Sequence, residues 1–323
     1  MFSLRSFFKL GSVSYLELGK RVYRKVVDDD CSEHAAAMAY YFLFAMFPFF
    51  LFLTTLIGLL PIPDLLEYMM NQAAAMLPSQ AFALIQDNIR ALFMNKKEGL
   101  LSLGIVLALW ASSNAIVSVM DAMNNLYVVK EGRPFWKVRL VAILLVIGLS
   151  LLFLLALVLL MFGTRIGNYI ADLINFGLLF KIAWHLMLIP VILFLLVSAV
   201  ATIYYFTPDV EHDWVWISPG AVVAIPCWIV MSLGFSFYIN NFGSYDKTYG
   251  SIGAVIVLLL WLYLSGFIIL AGACLNSVIE HSSEKGKEPG EKVEGEQGKG
   301  ADRRDYVEKQ AQAKGQQAKE GSK

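Results

Sequence analysis

From Thr248 to Ile279 the chain carries no charged side chain. About 20 apolar residues cross the hydrocarbon core of a bilayer as a helix, so a run of this length reads as a membrane span. Its backbone hydrogen bonds must then be made within the segment, which forces a helix. A polar collar, Asp246-Lys247-Thr248-Tyr249-Gly250, opens the run, and Gly253, Ala254, Ser265, Gly266 and Gly272 interrupt its Leu and Ile. Small residues let helix backbones approach closely in lipid, so this helix is expected to pack inside a bundle. Gly250, Gly253, Trp261 and Gly272 are its predicted packing positions, with Pro48 as a kink in an earlier span.

The rest of the chain repeats the pattern. Of its 323 residues only 16% are charged, against about 25% in soluble proteins. The predicted fold class is an all-α membrane protein, a six-transmembrane-helix bundle with amphipathic surface helices and a disordered C-terminal tail. Spans are expected at about 35–60, 99–120, 140–162, 182–206, 214–238 and 250–276. Residues 1–34 mix Phe7, Phe8, Leu16 and Val22 with Lys9, Lys20, Arg21 and Arg24, as a helix lying on a membrane surface does. Residues 61–98 hold two amphipathic helices parted by Pro78, too short to span, and are read as an outer cap. Residues 281–323 have too few apolar side chains to offset chain entropy and are expected to be disordered. Residues 1–30 lack the apolar core and cleavage site of a leader, so the first span is expected to act as its own insertion signal.

Cationic residues mark the cytoplasmic side. Arg5, Lys9, Lys20, Arg21, Arg24 and Lys25, with the connection Lys130, Arg133, Lys137 and Arg139, outweigh the cations of the opposite connections. Both termini are therefore expected in the cytoplasm. Formal net charge is zero, which leaves no basic excess for nucleic acid. Cys31, Cys227 and Cys274 have no metal-like spacing and read as free thiols. No cofactor or metal is expected.

The second span carries the polar pattern of most interest. Trp110, Asn114, Ser118, Asp121 and Asn125 follow steps of four, four, three and four, a stripe down one helix face. Polar groups in hydrocarbon need a partner or water. The stripe is expected to face the bundle interior, either lining a wet cavity or bonding neighbouring helices. Trp110, Asn114, Ser118 and Asp121 are the candidate lining, with Asp246, Lys247 and Tyr249 at an outer mouth. Glu211, His212 and Asp213 sit in a turn between spans and read as solvated.

Three blocks resemble one family. They are AAAMAYYFLFAMFPFF at 35–50, LSLGIVLALWASSNAIVSVMDAMNNLY at 101–127, and FTPDVEHDWVWISPGA running on through TYGSIGAVIVLLLWLYLSGFIILAGACLN. Thr248, Tyr249, Gly250, Ser251, Trp261, Leu262, Tyr263, Gly272 and Asn276 are the most specific positions, and the match covers about residues 30–280. The chain resembles the YihY/BrkB family of bacterial inner-membrane proteins. It departs from that pattern at Ala45, where Ser is frequent, and near Cys274, where Glu is frequent. The resemblance implies six helices and an inner-membrane location. The family is linked to serum resistance, once carried a ribonuclease label, and has members that look related to envelope-lipid export. It brings no agreed catalytic residues.

A metal-dependent nuclease needs clustered His, Asp or Glu to hold ions and activate water. Here His34, His185, His212 and His281 lie in different segments. An enzyme is not expected. Transport or handling of an envelope lipid or amphipathic solute is the first reading, with membrane lipids, anionic ones among them, as partners. A non-catalytic scaffold for envelope proteins is the alternative. The span order has a direct test. Cysteines introduced at Lys130 and Lys247 should react with an impermeant maleimide from opposite faces of the membrane, and labelling from one face would overturn the arrangement.

Overall fold

A computed structural model describes residues 14–59, 70, 98–173, 178–210, 218–242 and 251–282. Among them every regular element is a helix: α1 (Tyr15–Asp28), α2 (Cys31–Leu59), α3 (Glu98–Leu126), α4 (Phe135–Leu173), α5 (Leu178–Phe206), α6 (Pro219–Phe242) and α7 (Ser251–Ser282). The tail from residue 283, most of the cap, Glu211, His212 and Asp213, and the collar with Asp246, Lys247, Tyr249 and Gly250 lie outside the described residues.

Among the described residues, 5 helices, α3 to α7, are long and apolar enough to cross a membrane. α2 is as long as α3, at 29 residues, and has Pro48 inside it. Local chemistry sets several boundaries. Asp30, with a φ of 49°, turns the chain between α1 and α2, and its carbonyl accepts from the Glu33 and His34 amides. Asp tolerates this left-handed region because its short side chain bonds locally. At the end of α3 the Val129 amide donates to the Asn124 carbonyl and the Val128 amide to that of Asn125. This is a Schellman cap, and Val128, at φ 58°, occupies the position that favours glycine. Pro219 opens α6, where its missing N–H has no helical acceptor to lose.

The long helices alternate in direction. His34 at the start of α2 meets Asn125 at the end of α3. Arg133, just before α4, bonds the carbonyls of Phe206 and Thr207 at the end of α5. Gly220 at the start of α6 bonds Asn276 near the end of α7. One end of the bundle thus gathers α1, the 127–134 connection and the 207–210 turn. The main core sits there, with Cys31, Met38, Met123, Leu126, Tyr127, Tyr204, Leu270 and Cys274 in one cluster. A second cluster joins α2, α3 and α4 through Phe52, Ala108, Met120, Ala142 and Leu145.

Two expectations change. The span expected at 140–162 belongs to a 39-residue helix, about 58 Å long against about 30 Å of hydrocarbon. α4 therefore projects past the lipid core. The gap between the spans expected at 140–162 and 182–206 is largely helical, with Arg165 in α4 and Lys181 in α5. Tyr204, near the end of α5, is buried and donates its hydroxyl to the Ile269 carbonyl at 2.7 Å.

The α6–α7 seam depends on two glycines. A Cβ at Gly220 would collide with the Gly272 carbonyl, and one at Gly272 with the Tyr204 hydroxyl. Gly148 and Gly234 have open space around them. Gly220→Ala should therefore lower the melting temperature in detergent, because backbone must move at a cost of about 1–3 kcal/mol. Gly148→Ala should hold or raise it, by up to about 1 kcal/mol of helix propensity. Equal effects from the two would remove the close approach from the account.

Candidate functional site

α3 holds the polar stripe, and the structure leaves it open. Trp110 is 46% exposed, and Asn114, Asp121 and Asn125 are also exposed, while Ser118 is buried. Interior placement was expected because polar groups in hydrocarbon need partners. Those partners come instead from the flanking helices. From α4, Arg139 Nη1 donates to Asn114 Oδ1 at 2.8 Å and to Ser113 Oγ at 2.6 Å. Its guanidinium lies 4.3 Å from the centre of the Trp110 ring. From α2, His34 Nε2 lies 2.7 Å from Asn125 Nδ2, with the imidazole nitrogen accepting. Asp121 lies within electrostatic reach of both His34 and Glu131. The face is a shallow polar track along α3, tied at one end to α4 and at the other to α2.

Beside its lower end is a tighter network. Arg133 donates to both Glu131 oxygens, at 2.8 and 2.6 Å, and to the Thr207 carbonyl at 2.9 Å. Asp209 stands 3.6 Å from Arg133 Nε. Asn124 donates to Glu131 and accepts from the Asp209 amide, so its side chain bridges two connections. Burial pushes the Glu131 carboxyl up, but hydrogen bonds from Arg133 and Asn124 and the Arg133 charge outweigh it and hold the group below its ordinary 4.5. Burial likewise works against the Arg133 charge, and Glu131 and Asp209 overcome it, so that guanidinium stays ionised more firmly than usual. The network fastens α3, α4 and α5 together and leaves no reactive group free.

The remaining candidate residues fall into packing positions. Trp261 Nε1 reaches Ser232 Oγ at 3.4 Å, and its ring meets Trp228 at 5.9 Å. Gly253 and Gly272 are buried, and Pro48 is half-buried within α2. Cys31 and Cys274 are buried with their sulfurs 3.5 Å apart, and Cys227 is exposed; all three are free thiols. His185 bonds the Lys181 carbonyl, one turn back near the start of α5. Among the described residues no group of three or more His, Cys, Asp or Glu could hold a metal.

Sequence reasoning missed Arg133 and Arg139, counting both as loop charges. A signal was present for Arg139. It is the last charge before the uncharged run Leu140–Phe162 and stands one turn after Phe135, the aromatic that flanks its guanidinium at 5.6 Å. Asn124 lies one residue off the stripe, and no periodicity could single it out.

Apolar helices of alternating direction, with many large hydrophobic side chains exposed along α4, α5 and α6, define a multi-pass membrane protein. The family model "Virulence factor BrkB" matches residues 22–296, and the chain belongs to that family. It is 35% identical over 271 residues to the "Putative ribonuclease-like protein YfkH" of Bacillus subtilis (strain 168), covering 82% of this chain and 96% of that one. It is 24% identical to a "UPF0761 membrane protein" of Stenotrophomonas maltophilia (strain R551-3), covering 81% of this chain. It is 25% identical to the "UPF0761 membrane protein XAC0937" of Xanthomonas axonopodis pv. citri (strain 306), again over 81% of this chain. The match spans 60% of the Stenotrophomonas protein and 61% of the Xanthomonas protein. No solved structure matches.

The Glu131 pair has a pH signature. A carboxyl held below its ordinary value adds stability that is fully present above 4.5 and is lost as pH falls through the lowered value. Glu131→Gln should lower the melting temperature at pH 7 by about 2–4 °C. It should also remove part of the fall seen below pH 4.5. Parallel melting curves for the two proteins across pH 3–7 would show that the pair contributes nothing.

Proposed function

We propose that this protein handles an envelope lipid, or an amphipathic solute of similar shape, within the bacterial inner membrane. The polar head would travel along the open face of α3 while the apolar part stays in the bilayer. α2 serves as the sixth span, and both termini lie in the cytoplasm. The role is non-enzymatic, despite the relative named ribonuclease-like. The observation that carries the reading is the exposure of Trp110, Asn114, Asp121 and Asn125 on a helix whose neighbours expose apolar side chains. Unwound or irregular elements are not needed for such a path; a polar stripe beside lipid suffices to lower the cost of moving a headgroup. Anionic lipids suit the cationic end of the bundle, where Lys20, Arg21 and Arg24 of α1 are exposed.

A scaffold for envelope proteins is the competing reading, and it has no use for a polar surface inside the lipid layer. The two separate in proteoliposomes that hold a phospholipid labelled with a fluorophore on its headgroup. Wild-type protein should expose inner-leaflet label to an external quencher faster than protein-free vesicles. Asn114→Leu should fold, insert and lose at least tenfold of that rate. Unchanged movement in Asn114→Leu would remove the stripe from the path, and no movement with wild type would favour the scaffold.

A further inference from the structure

Two arginines flank the ends of the α3 face, and their surroundings are opposite. Arg133 has two carboxylates and two backbone carbonyls as partners. Arg139 uses only Nη1, which meets Ser113 Oγ, Asn114 Oδ1 and the Trp110 carbonyl. Its Nε is buried with no acceptor among the described residues. No carboxylate pairs with it there either. The Nε–Nη2 edge of a guanidinium matches two oxygens of a phosphate or carboxylate. On Arg139 that edge has no acceptor among the described residues. A partly buried cation at the edge of the lipid, with no counter-ion among the described residues, is costly, which points to an anion that those residues do not supply.

The position narrows the choice of anion. Arg139 is the last charged residue before Leu140–Phe162, a run about 34 Å long as a helix, close to the thickness of the hydrocarbon core. Phe135 (68% exposed) and Trp110 (46%) flank its guanidinium, and Trp136 (66%) lies one turn before it on α4; aromatic rings of this kind collect at headgroup depth. A soluble anion would have to enter past exposed aromatic rings. A phospholipid phosphate already lies at that depth with acyl chains beside Leu140 and Leu144, which are exposed.

We propose that Arg139, with Asn114 and Trp110 holding its guanidinium in place, forms a binding site for the phosphate of an anionic phospholipid between α3 and α4. The proposal deepens the lipid-handling reading by naming the headgroup and where it docks. Binding alone requires no movement, so the two can fail separately.

The test uses the full chain in detergent micelles, titrated with phosphatidylglycerol or phosphatidylcholine and read by native mass spectrometry. Wild type should prefer phosphatidylglycerol by roughly tenfold. Arg139→Gln should bring that ratio close to one, and Arg165→Gln, an exposed cation far along α4 from the site, should leave it unchanged. In wild type, a photoactivatable phosphatidylglycerol should label peptides within residues 106–114 and 135–143, a readout that needs no variant to fold. Retained preference in Arg139→Gln, an equal loss in Arg165→Gln, or labelling only elsewhere would each overturn the site. Full displacement by millimolar inorganic phosphate would assign it to free phosphate and overturn the lipid. Labelled-lipid movement without an Arg139-dependent preference would sink this proposal and leave the transport reading standing.

Discussion

Hydrocarbon supplies no hydrogen bonds, and that constraint sorts the polar groups of this chain. A polar atom left unmatched there costs several kcal/mol, so each needs a partner, from the protein or from a molecule bound to it. Some turn back on their own helix, as Ser150 does to the Val146 carbonyl and Thr202 to that of Ser198. Others cross between helices and fix neighbours. Trp184 reaches the Gly163 carbonyl, Tyr204 the Ile269 carbonyl, and Trp228 the Ser265 hydroxyl. The apolar surfaces of these helices are interchangeable in lipid, since burying one against another gains little over burying it in acyl chains. The cross-helix bonds, and the glycines that admit them, therefore decide which helices touch. Gly220 and Gly272 bring α6 and α7 close enough for Asn276 to serve both the Gly220 amide and the Ser218 hydroxyl.

That logic explains what could be read from the residues and what could not. Among the described residues the long uncharged runs form helices, and α3, α5 and α7 begin and end near the expected places. The N-terminal amphipathic segment folds as α1, with Val22 and Val26 packed on the core and Leu16, Tyr23 and Val27 outward. The end of α4 and the start of α5 extend past the expected spans because Arg165 and Lys181 look like loop residues by composition, whereas a helix outside lipid accepts charge freely. The stripe of Trp110, Asn114, Ser118, Asp121 and Asn125 was visible as a period. Its direction was not, because a period names a face without naming what lies against it. That depended on Arg139 and His34, at separations of 25 and 91 residues from Asn114 and Asn125.

Arg133 and Arg139 make the same point with a single residue type. Both precede the long apolar run of α4, and spacing alone treats them alike. Arg133 sits where three helix ends converge, so it meets the carbonyls that α5 leaves unpaired at its C-terminus, together with Glu131 and Asp209. A cation at that pole also opposes the negative end of the helix dipole. Arg139 sits four residues into α4, where backbone carbonyls are already used within the helix. Its partners among the described residues are a hydroxyl, an amide oxygen, the Trp110 carbonyl and two aromatic faces, all neutral. Cation–π contact lowers the cost of holding the charge by about 0.5–2 kcal/mol and does not neutralise it.

The open face of α3 follows from the same balance. Had the stripe turned inward, Asn114 and Asp121 would have needed polar partners in a core that Met120, Met123 and Leu126 fill with apolar side chains. Turned outward to plain acyl chains it would be worse, since nothing there accepts or donates. The arrangement is tolerable only where the surroundings are mixed, with apolar chains on both sides and polar groups within reach of the stripe. Arg139 and His34 provide part of that mixture from the protein. On the proposed reading, a molecule with a charged head and a greasy body would provide the rest, meeting Trp110, Asn114 and Leu140 at once without leaving either half of itself in the wrong medium.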